Sequence, residues 1–403
     1  MSGKRTLAVF FGGRSAEHDV SVVTGLQAIS ALDPDRFDAV PVYVAPDGAW
    51  YTGPALLNRQ TYIPNEAALA ALTRVELPIA DCRGRGILRS PAKGLFGKAR
   101  DILFDAALLA FHGERGEDGR IQGLFELAGV PYTGMRFLAS ALFMDKILTK
   151  EVLAARGIPV LPSWRIDRPA SGGLVPDPAD LAKTVKDAPY PLIVKPCHLG
   201  SSIGVARVET FDELRAVLPP ILRLDDVALA EPCVPHLEEY NISVAAFADG
   251  IRTSAIERPK RTQDLLDFRQ KYMSGGGKSG KSGTKTPGQS SQGMLSLTRD
   301  ISPELDPVFE ARIRAYATVA YRAVTAAGAP RIDFLCNSET GELWLNEINP
   351  CPGSFAYFLW EAATPPVLFG DLLAHLADEA VAQADSHPAP DDPVPADARL
   401  FRR

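Results

Sequence analysis

The sequence predicts a mixed α/β and α+β protein. A parallel sheet covered by helices comes first, then a small α+β unit, then an antiparallel sheet. Three observations carry this expectation. Strand-like and helical runs alternate between Leu7 and Gly129. A buried strand, PLIVKP at 191–196, turns through a Gly/Ser-rich segment into a second strand, GVARV. From Val227 onward, LAEPCV, YNISVAAFADG, IRTSAIE, PRIDFLC and ELWLNEI follow at hairpin spacing. Alternation of the first kind implies parallel strands joined by helices, whereas closely spaced strands pair antiparallel.

Taken in order, residues 7–11 form an apolar strand that turns at Gly12-Gly13. Val20, Val23, Leu26, Ile29 and Leu32 then recur at helical spacing until Asp33-Pro34 ends the run. A second strand is expected over 39–44 and a third over 102–111. The helix QGLFELAG follows, stopped by Gly129 and Pro131. Residues 54–98, rich in Arg, Pro and Gly, are expected to insert at the sheet's edge. A helix over 145–155 ends at Gly157, and another over 307–327 interrupts the late strands. Residues 274–293 are Gly/Ser/Lys-rich and read as flexible without a ligand, and a tail from about Ala384 carries many Pro and Asp and is expected to pack loosely.

Composition excludes several function classes. A chain of 403 residues with 46% hydrophobic and 23% charged residues has the make-up of an ordinary globular protein of two or three packed units. The net charge of −6 and the scatter of basic residues argue against a nucleic-acid partner. The first apolar run is too short for a signal peptide, and no later one approaches the roughly 18–20 residues of a membrane helix. The five cysteines are widely spaced, with no CxxC pair, which favours a reducing cytoplasm over a disulfide framework. The six histidines form no metal-binding spacing.

The chemistry is concentrated in RIDFLC and LWLNEIN. Asp333 lies in one strand; Glu347 and Asn349 lie in the next and, at period two, on one face of it. Two carboxylates and an amide oxygen are a hard-oxygen set suited to Mg²⁺ bridging nucleotide phosphates. Arg331, two residues before Asp333, shares its face and is placed to neutralise a developing anion. The bland alternative is a pair of edge strands with polar residues turned outward. Lys195 ends an apolar strand and needs an anion, and the Gly200-Ser201-Ser202 turn offers N–H groups and hydroxyls to one. Lys146, in MDK, is a second cation, which a surface position would explain equally well. HGERGEDG (112–119) and GGRSAEHDVS (12–21) are strand-to-helix turns; the first favours a carboxylate, and the second places Glu17 and Ser21 at one helix start, as site residues or as caps. GGGKSGKS (275–282) fits the P-loop pattern by letter but has neither a buried strand before it nor helix-forming residues after it, and is set aside.

With GGRSAEHDVS, HGERGEDGRIQGLFELAGVPYTG, SALFMDK, IVKPCHLGSSIGV, QKYMS and RIDFLC…NEINPCPGS in this order, the chain resembles the D-alanine–D-alanine ligase family across roughly residues 5–375. The resemblance implies an ATP-grasp fold with an N-terminal Rossmann-like domain (1–138), a small central α+β domain (139–228) and a C-terminal antiparallel-sheet domain (229–383) carrying a lid loop (264–294), then a tail (384–403). It implies a cytoplasmic ATP-dependent carboxylate–amine ligase that joins two D-amino acids, most simply two D-alanines for peptidoglycan. Its partners would be small molecules, with a homodimer as the assembly to test for. Lys146, Lys195 and Ser202 would hold the ATP phosphates, and Lys271 would reach the γ-phosphate. Glu231 would meet the adenine amino group and Glu239 the ribose. Asp333, Glu347 and Asn349 would hold two Mg²⁺ ions, with Mn²⁺ able to substitute. Glu17 would bind the first ammonium group, Ser201 and Tyr272 would link that site to the lid, and Arg331 with the Gly353 N–H would stabilise the oxyanion.

Two departures bear on the substrate. Where the family places a serine for the second substrate's carboxylate, this chain has Phe358, followed by Leu359. The segment after Lys271-Tyr272 is long and basic (Lys278, Lys281, Lys285), and is expected to order over the phosphates. The same chemistry on D-lactate, D-serine or a specialised amine is therefore the close rival. A non-catalytic nucleotide-binding regulator is the rival of another class.

Overall fold

The computed structural model describes residues 3–62, 71–82, 84–92, 99–200, 202–260, 299–324, 326–386 and 398. The chain divides into two compact units. One comprises Met1–Phe137, Gly353–Phe355 and Phe369–Arg403; the other comprises Leu138–Pro352 and Ala356–Leu368.

The first unit holds strands β1 (Arg5–Gly12), β2 (Phe37–Val44), β3 (Trp50–Thr52), β4 (Thr73–Val75), β5 (Gly86–Ser90), β6 (Arg100–Phe104) and β7 (Ala106–Leu109). The apolar run of β1 is buried from Leu7 to Gly12 and pairs parallel with β2 on one side and β7 on the other. Parallel pairing suits a strand covered on both faces. The sheet order is β4-β3-β2-β1-β7, with β3 and β4 forming an antiparallel edge. Phe10 is fully buried, with Phe125 at 5.1 Å and Trp50 at 5.2 Å in edge-to-face contact. Burial of such a ring contributes roughly 1.5–3 kcal/mol. Helix His18–Ala31 follows β1, and helix Phe369–Ser386 packs so closely on it that a Cβ at Gly370 would meet the Ala31 carbonyl at 2.7 Å.

Two expectations change here. The strand foreseen over 102–111 is broken at Asp105, whose side chain accepts the Thr6 N–H at 2.8 Å while its own N–H goes to Thr6 O. That local exchange separates β7, in the main sheet, from β6, which pairs with β5 in a separate ribbon. Residues 384–386 belong to the last helix and not to a loose tail.

The second unit begins with β8 (Trp164–Asp167), β9 (Leu192–Pro196), β10 (Ala206–Val208) and β11 (Val227–Pro232), an antiparallel sheet ordered β10-β9-β11-β8. Leu192 and Val194 of β9 and Ala228 and Ala230 of β11 alternate onto a core with Leu214, Leu218 and Leu222 of helix Phe211–Leu224. Thr210 caps that helix by accepting Glu213 N–H. A second sheet follows, from β12 (Leu237–Phe247), β13 (Gly250–Pro259), β14 (Arg299–Ile301), β15 (Arg331–Asn337) and β16 (Leu343–Asn349), all antiparallel and ordered β14-β13-β12-β15-β16. Helix Pro307–Arg322 buries Ile313, Ala317, Ala320 and Tyr321, and ends before the predicted residue 327. Trp360 is fully buried, and its indole N–H donates to Ser243 Oγ at 3.0 Å.

Candidate active site

The antiparallel register of the second sheet aligns its acidic residues. Asn241 on β12 lies beside Asp333 on β15 and Glu257 on β13, and Asp333 lies beside Glu347 on β16. Four polar residues thus cross four strands on one face, and Asn349 lies two positions beyond Glu347. Arg331 holds Asp333 through two hydrogen bonds of 2.7 Å, and Asn349 Nδ2 donates to Asp333 at 2.9 Å. With its amide nitrogen turned toward Asp333, Asn241 adds a contact of 3.3 Å. Burial raises the Asp333 carboxyl against the opposing pull of Arg331, and Glu347 raises it further. Burial alone would raise Glu347 too, but Lys146, Lys195 and Arg331 together hold it low.

A β-bulge between Asp333 and Phe334 pairs two successive residues of β15 with Glu347 and Leu345, leaving Asn346 as the extra residue. Bulges re-aim side chains. Here Asn346 Oδ1 accepts from Lys195 Nζ at 3.1 Å, while Glu347 lies 3.7 Å from Lys146 Nζ.

The lysines form a second cluster. Lys195, buried at the end of β9, has Nζ 2.5 Å from Glu231 Oε1. Lys150 Nζ lies 2.9 Å from Glu231 Oε2, out of hydrogen-bond alignment. The anion that Lys195 needs is thus supplied by the chain itself. Burial would raise the Glu231 carboxyl, yet Lys195 and Lys150 bring it down to about 2. Burial lowers Lys150, whereas in Lys195 the same effect is outweighed by Glu231 and Glu347. Two lysines against one carboxylate leave one positive charge, while Glu347 offsets that of Lys146. Lys146 Nζ donates to the Leu199 carbonyl at 2.7 Å. Ser202 stands exposed just beyond, with φ of 55°. Glu239 shares the face of β12 that carries Asn241.

In the first unit Glu17 occupies the N-cap position of helix His18–Ala31 but makes no side-chain cap hydrogen bond. Ser21 is structural: its hydroxyl accepts Gly12 N–H and donates to Ala110 O, both at 2.8 Å. Glu17 packs against Gly113, where φ is +73° and a Cβ would lie 2.7 Å from Glu17 Oε2. The HGERGEDG turn departs from expectation. Its N–H groups at Gly113 and Arg115 go to Glu117 and Asp118 of the same turn and that of Gly119 to Gln122 of the helix that follows, so they do not await an external carboxylate. Gly353 lies in this unit, followed by Ser354, whose N–H donates to Thr24 Oγ1 at 3.1 Å.

The donor sets fit the groups that the sequence pointed to. Asp333, Glu347 and Asn349 bring carboxylate and amide oxygens to one face, and commitment of Asn349 Nδ2 to Asp333 leaves its Oδ1 as an acceptor, as Mg²⁺ requires. Excess positive charge beside it suits phosphate. A model of the D-ala D-ala ligase N-terminus matches residues 6–135, and one of the C-terminus matches residues 152–377. The chain belongs to the D-alanine–D-alanine ligase family. It is 34% identical over 353 residues to the D-alanine–D-alanine ligase of Chlorobium chlorochromatii, covering 87% of this chain and 90% of that one. Over 391 residues it is 32% identical to the D-alanine–D-alanine ligase A of Bradyrhizobium diazoefficiens, at 94% and 96% coverage. Among solved structures, the D-alanine–D-alanine ligase from Coxiella burnetii superposes with a TM-score of 0.75 at 23% identity, covering 96% of each chain. The VanG D-Ala:D-Ser ligase from Enterococcus faecalis superposes with a TM-score of 0.72 at 24% identity, covering 94% of this chain and 99% of that one. The fold is the ATP-grasp fold expected from the sequence.

Membership of the family leaves the individual residue roles to chemistry. Ser201, Lys271, Tyr272 and the segment 264–294 lie outside the described residues. Sequence reasoning missed Lys150, Asn346 and Glu257. For Lys150 a signal existed, because it stands four residues after Lys146 on one helix face. Glu257 is buried, pushed up by its burial, 3.2 Å from Arg299, with Oε2 lacking a hydrogen bond among the described residues. No sequence pattern distinguishes it from other strand carboxylates. Among the described residues no helix is long and apolar enough to cross a membrane.

Proposed function

We propose that the protein is an ATP- and Mg²⁺-dependent ligase that joins two D-alanines into D-alanyl-D-alanine for peptidoglycan, in the cytoplasm and as a homodimer. The observation that carries this reading is the oxygen-lined row of Asp333, Glu347 and Asn349 beside Lys146 and Lys195 in a chain of this family. A carboxylate is a poor electrophile. In the proposed reaction the carboxylate of the first amino acid attacks the γ-phosphorus of ATP, ADP leaves, and an acyl phosphate forms. The amine of the second amino acid attacks the acyl carbon, and inorganic phosphate departs.

This chain's side chains act by position and charge. Lys146 and Lys195 bind the phosphates, with the Ser202 hydroxyl at the same turn. Glu231 fixes Lys150 and Lys195, which match its charge, and meets the adenine amino group. Glu239 faces the ribose. Asp333, Glu347 and Asn349 would hold two divalent cations, Mg²⁺ or Mn²⁺, which would screen the phosphate oxygens. Arg331, oriented by Asp333, stabilises charge on the acyl oxygen together with the Gly353 N–H. Glu17 receives the ammonium of the first amino acid.

A second reading keeps this chemistry and changes the second substrate to a D-hydroxy acid, D-serine or another amine. It is favoured by Phe358, whose ring lies 4.7 Å beneath the Arg299 guanidinium and offers no donor to a carboxylate. Phosphate release with ATP and Mg²⁺, followed by mass spectrometry of the product, separates the two. Release with D-alanine alone and a dipeptide mass supports the first. Release only when a different second nucleophile is present supports the second, and ATP binding without release in any mixture overturns both.

A further inference from the structure

His198 stands between Cys197 and Leu199, the two residues whose carbonyls receive the N–H and Nζ of Lys146 at 3.3 and 2.7 Å. Its backbone N–H donates to Asp225 Oδ2 at 2.7 Å and its ring Nδ1 lies 2.9 Å from Asp225 Oδ1. Ring Nε2 lies 3.3 Å from Asp145 Oδ2. Each carboxylate flanks an element that carries a lysine or its counter-ion. Asp145 caps helix Lys146–Ala154 by accepting from Ile147 and Leu148, and Asp225 accepts Val227 N–H at the start of β11, which bears Glu231. The imidazole therefore ties the Cys197–Gly200 loop to both walls at once.

Resting on the ligase reading, we propose that His198 is a positioning residue for the ATP phosphates: a doubly protonated imidazole bridging Asp145 and Asp225 fixes the loop whose carbonyls aim Lys146. With a carboxylate at each ring nitrogen, both nitrogens act as donors. The hydrogen bonds to Asp145 and Asp225 push the imidazole up to about 9. The titratable groups that face it are Asp145 and Asp225, both held low, and the Cys197 thiol, pushed up to about 12 by burial. His198 is thus the member of this cluster that changes charge between neutrality and moderately alkaline pH. Asp145, Cys197 and His198 also come close enough together to be read as a metal site. The hydrogen bonds argue otherwise: the thiol donates to Asp145 Oδ1, which is already the helix cap, and both ring nitrogens are engaged.

The test is steady-state kinetics of His198→Ala, His198→Gln and His198→Arg beside Lys146→Ala. In His198→Ala the KM for ATP rises about tenfold, as loss of a charge-assisted hydrogen bond predicts, while the KM for the amino acid moves by less than about twofold. His198→Gln, which keeps a single donor pair, falls between, and His198→Arg, a cation that donates at both ends, restores most of the affinity. In the wild type the KM for ATP climbs from about pH 8 to about pH 10, and in His198→Arg it stays flat. An unchanged KM for ATP in His198→Ala, with or without a lower melting point, overturns the proposal if Lys146→Ala raises it. Should Lys146→Ala leave the KM for ATP unchanged, the ligase-site reading fails first.

Discussion

Lys195 on β9 and Glu231 on β11 sit diagonally across two adjacent antiparallel strands, with Nζ 2.5 Å from Oε1 and both side chains buried. The pair has a practical consequence. A lysine read from the sequence as waiting for phosphate already has its own counter-ion, so its geometry is set before any nucleotide arrives.

Glu231→Gln removes that counter-ion and leaves Lys150 and Lys195 buried together. The expected loss is about 3–5 kcal/mol in urea denaturation, because an uncompensated buried charge costs more than the pair contributes. Wild-type stability also depends on acid in a defined direction. Glu231 is held near 2 when folded against 4.5 for the free side chain. Its contribution is therefore complete above the unfolded value and lost as pH falls from 4.5 toward 2. The melting-point gap between wild type and Glu231→Gln should narrow across that window; a constant gap would show that the pairing carries no linkage.

Chelation tests the oxygen row. EDTA should abolish ADP formation, and added Mg²⁺ should restore it. Asp333→Asn should lower kcat on the order of a hundredfold and raise the Mg²⁺ concentration needed for half-maximal rate. Activity indifferent to EDTA would remove the metal from the proposal.

Arg331→Lys keeps the charge and discards the two-pronged hold on Asp333. Turnover should fall by about tenfold to a hundredfold with the melting point little changed. Near-normal turnover would show that a point charge suffices at this position.

Gly113→Ala places a methyl group against Glu17 at a backbone angle that alanine resists. Stability should fall by about 1–2 kcal/mol. The KM for the amino acid should rise about tenfold, matching Glu17→Gln, while the KM for ATP holds. Equal changes in both constants would mean that the lesion is global.

Phe358→Ser withdraws the ring beneath Arg299 and introduces a hydroxyl donor. The KM of the second amino acid should shift by about fivefold or more, with the KM for ATP constant. No shift would place Phe358 outside that subsite.

The order of elements was legible from local patterning. Short apolar runs bounded by turn residues marked β1 and β9, strands at hairpin spacing marked β11 and β15, and the repeat from Val20 to Leu32 marked the first helix, whose one buried face imposes that period. Arg331 with Asp333, and Glu347 with Asn349, were legible because alternation places each pair on one face of its own strand; that the two pairs face each other is set by the strand register. The break at Asp105 was not legible, since it depends on Thr6, far away in the chain.

What the sequence by itself determined is the family, the fold class and the identity of the acidic and basic groups, all of which reside in residue type and short-range spacing. What only the tertiary structure decided is which of them meet. The bulge that turns Asn346 toward Lys195, the neutralisation of Glu231 by two lysines, the closing of the HGERGEDG turn on its own carboxylates and the His198 bridge each join residues whose separation carries no periodic signature. Charge pairing at 2.5–3.3 Å is set by strand register and helix placement, and those are fixed by the packing of the whole core.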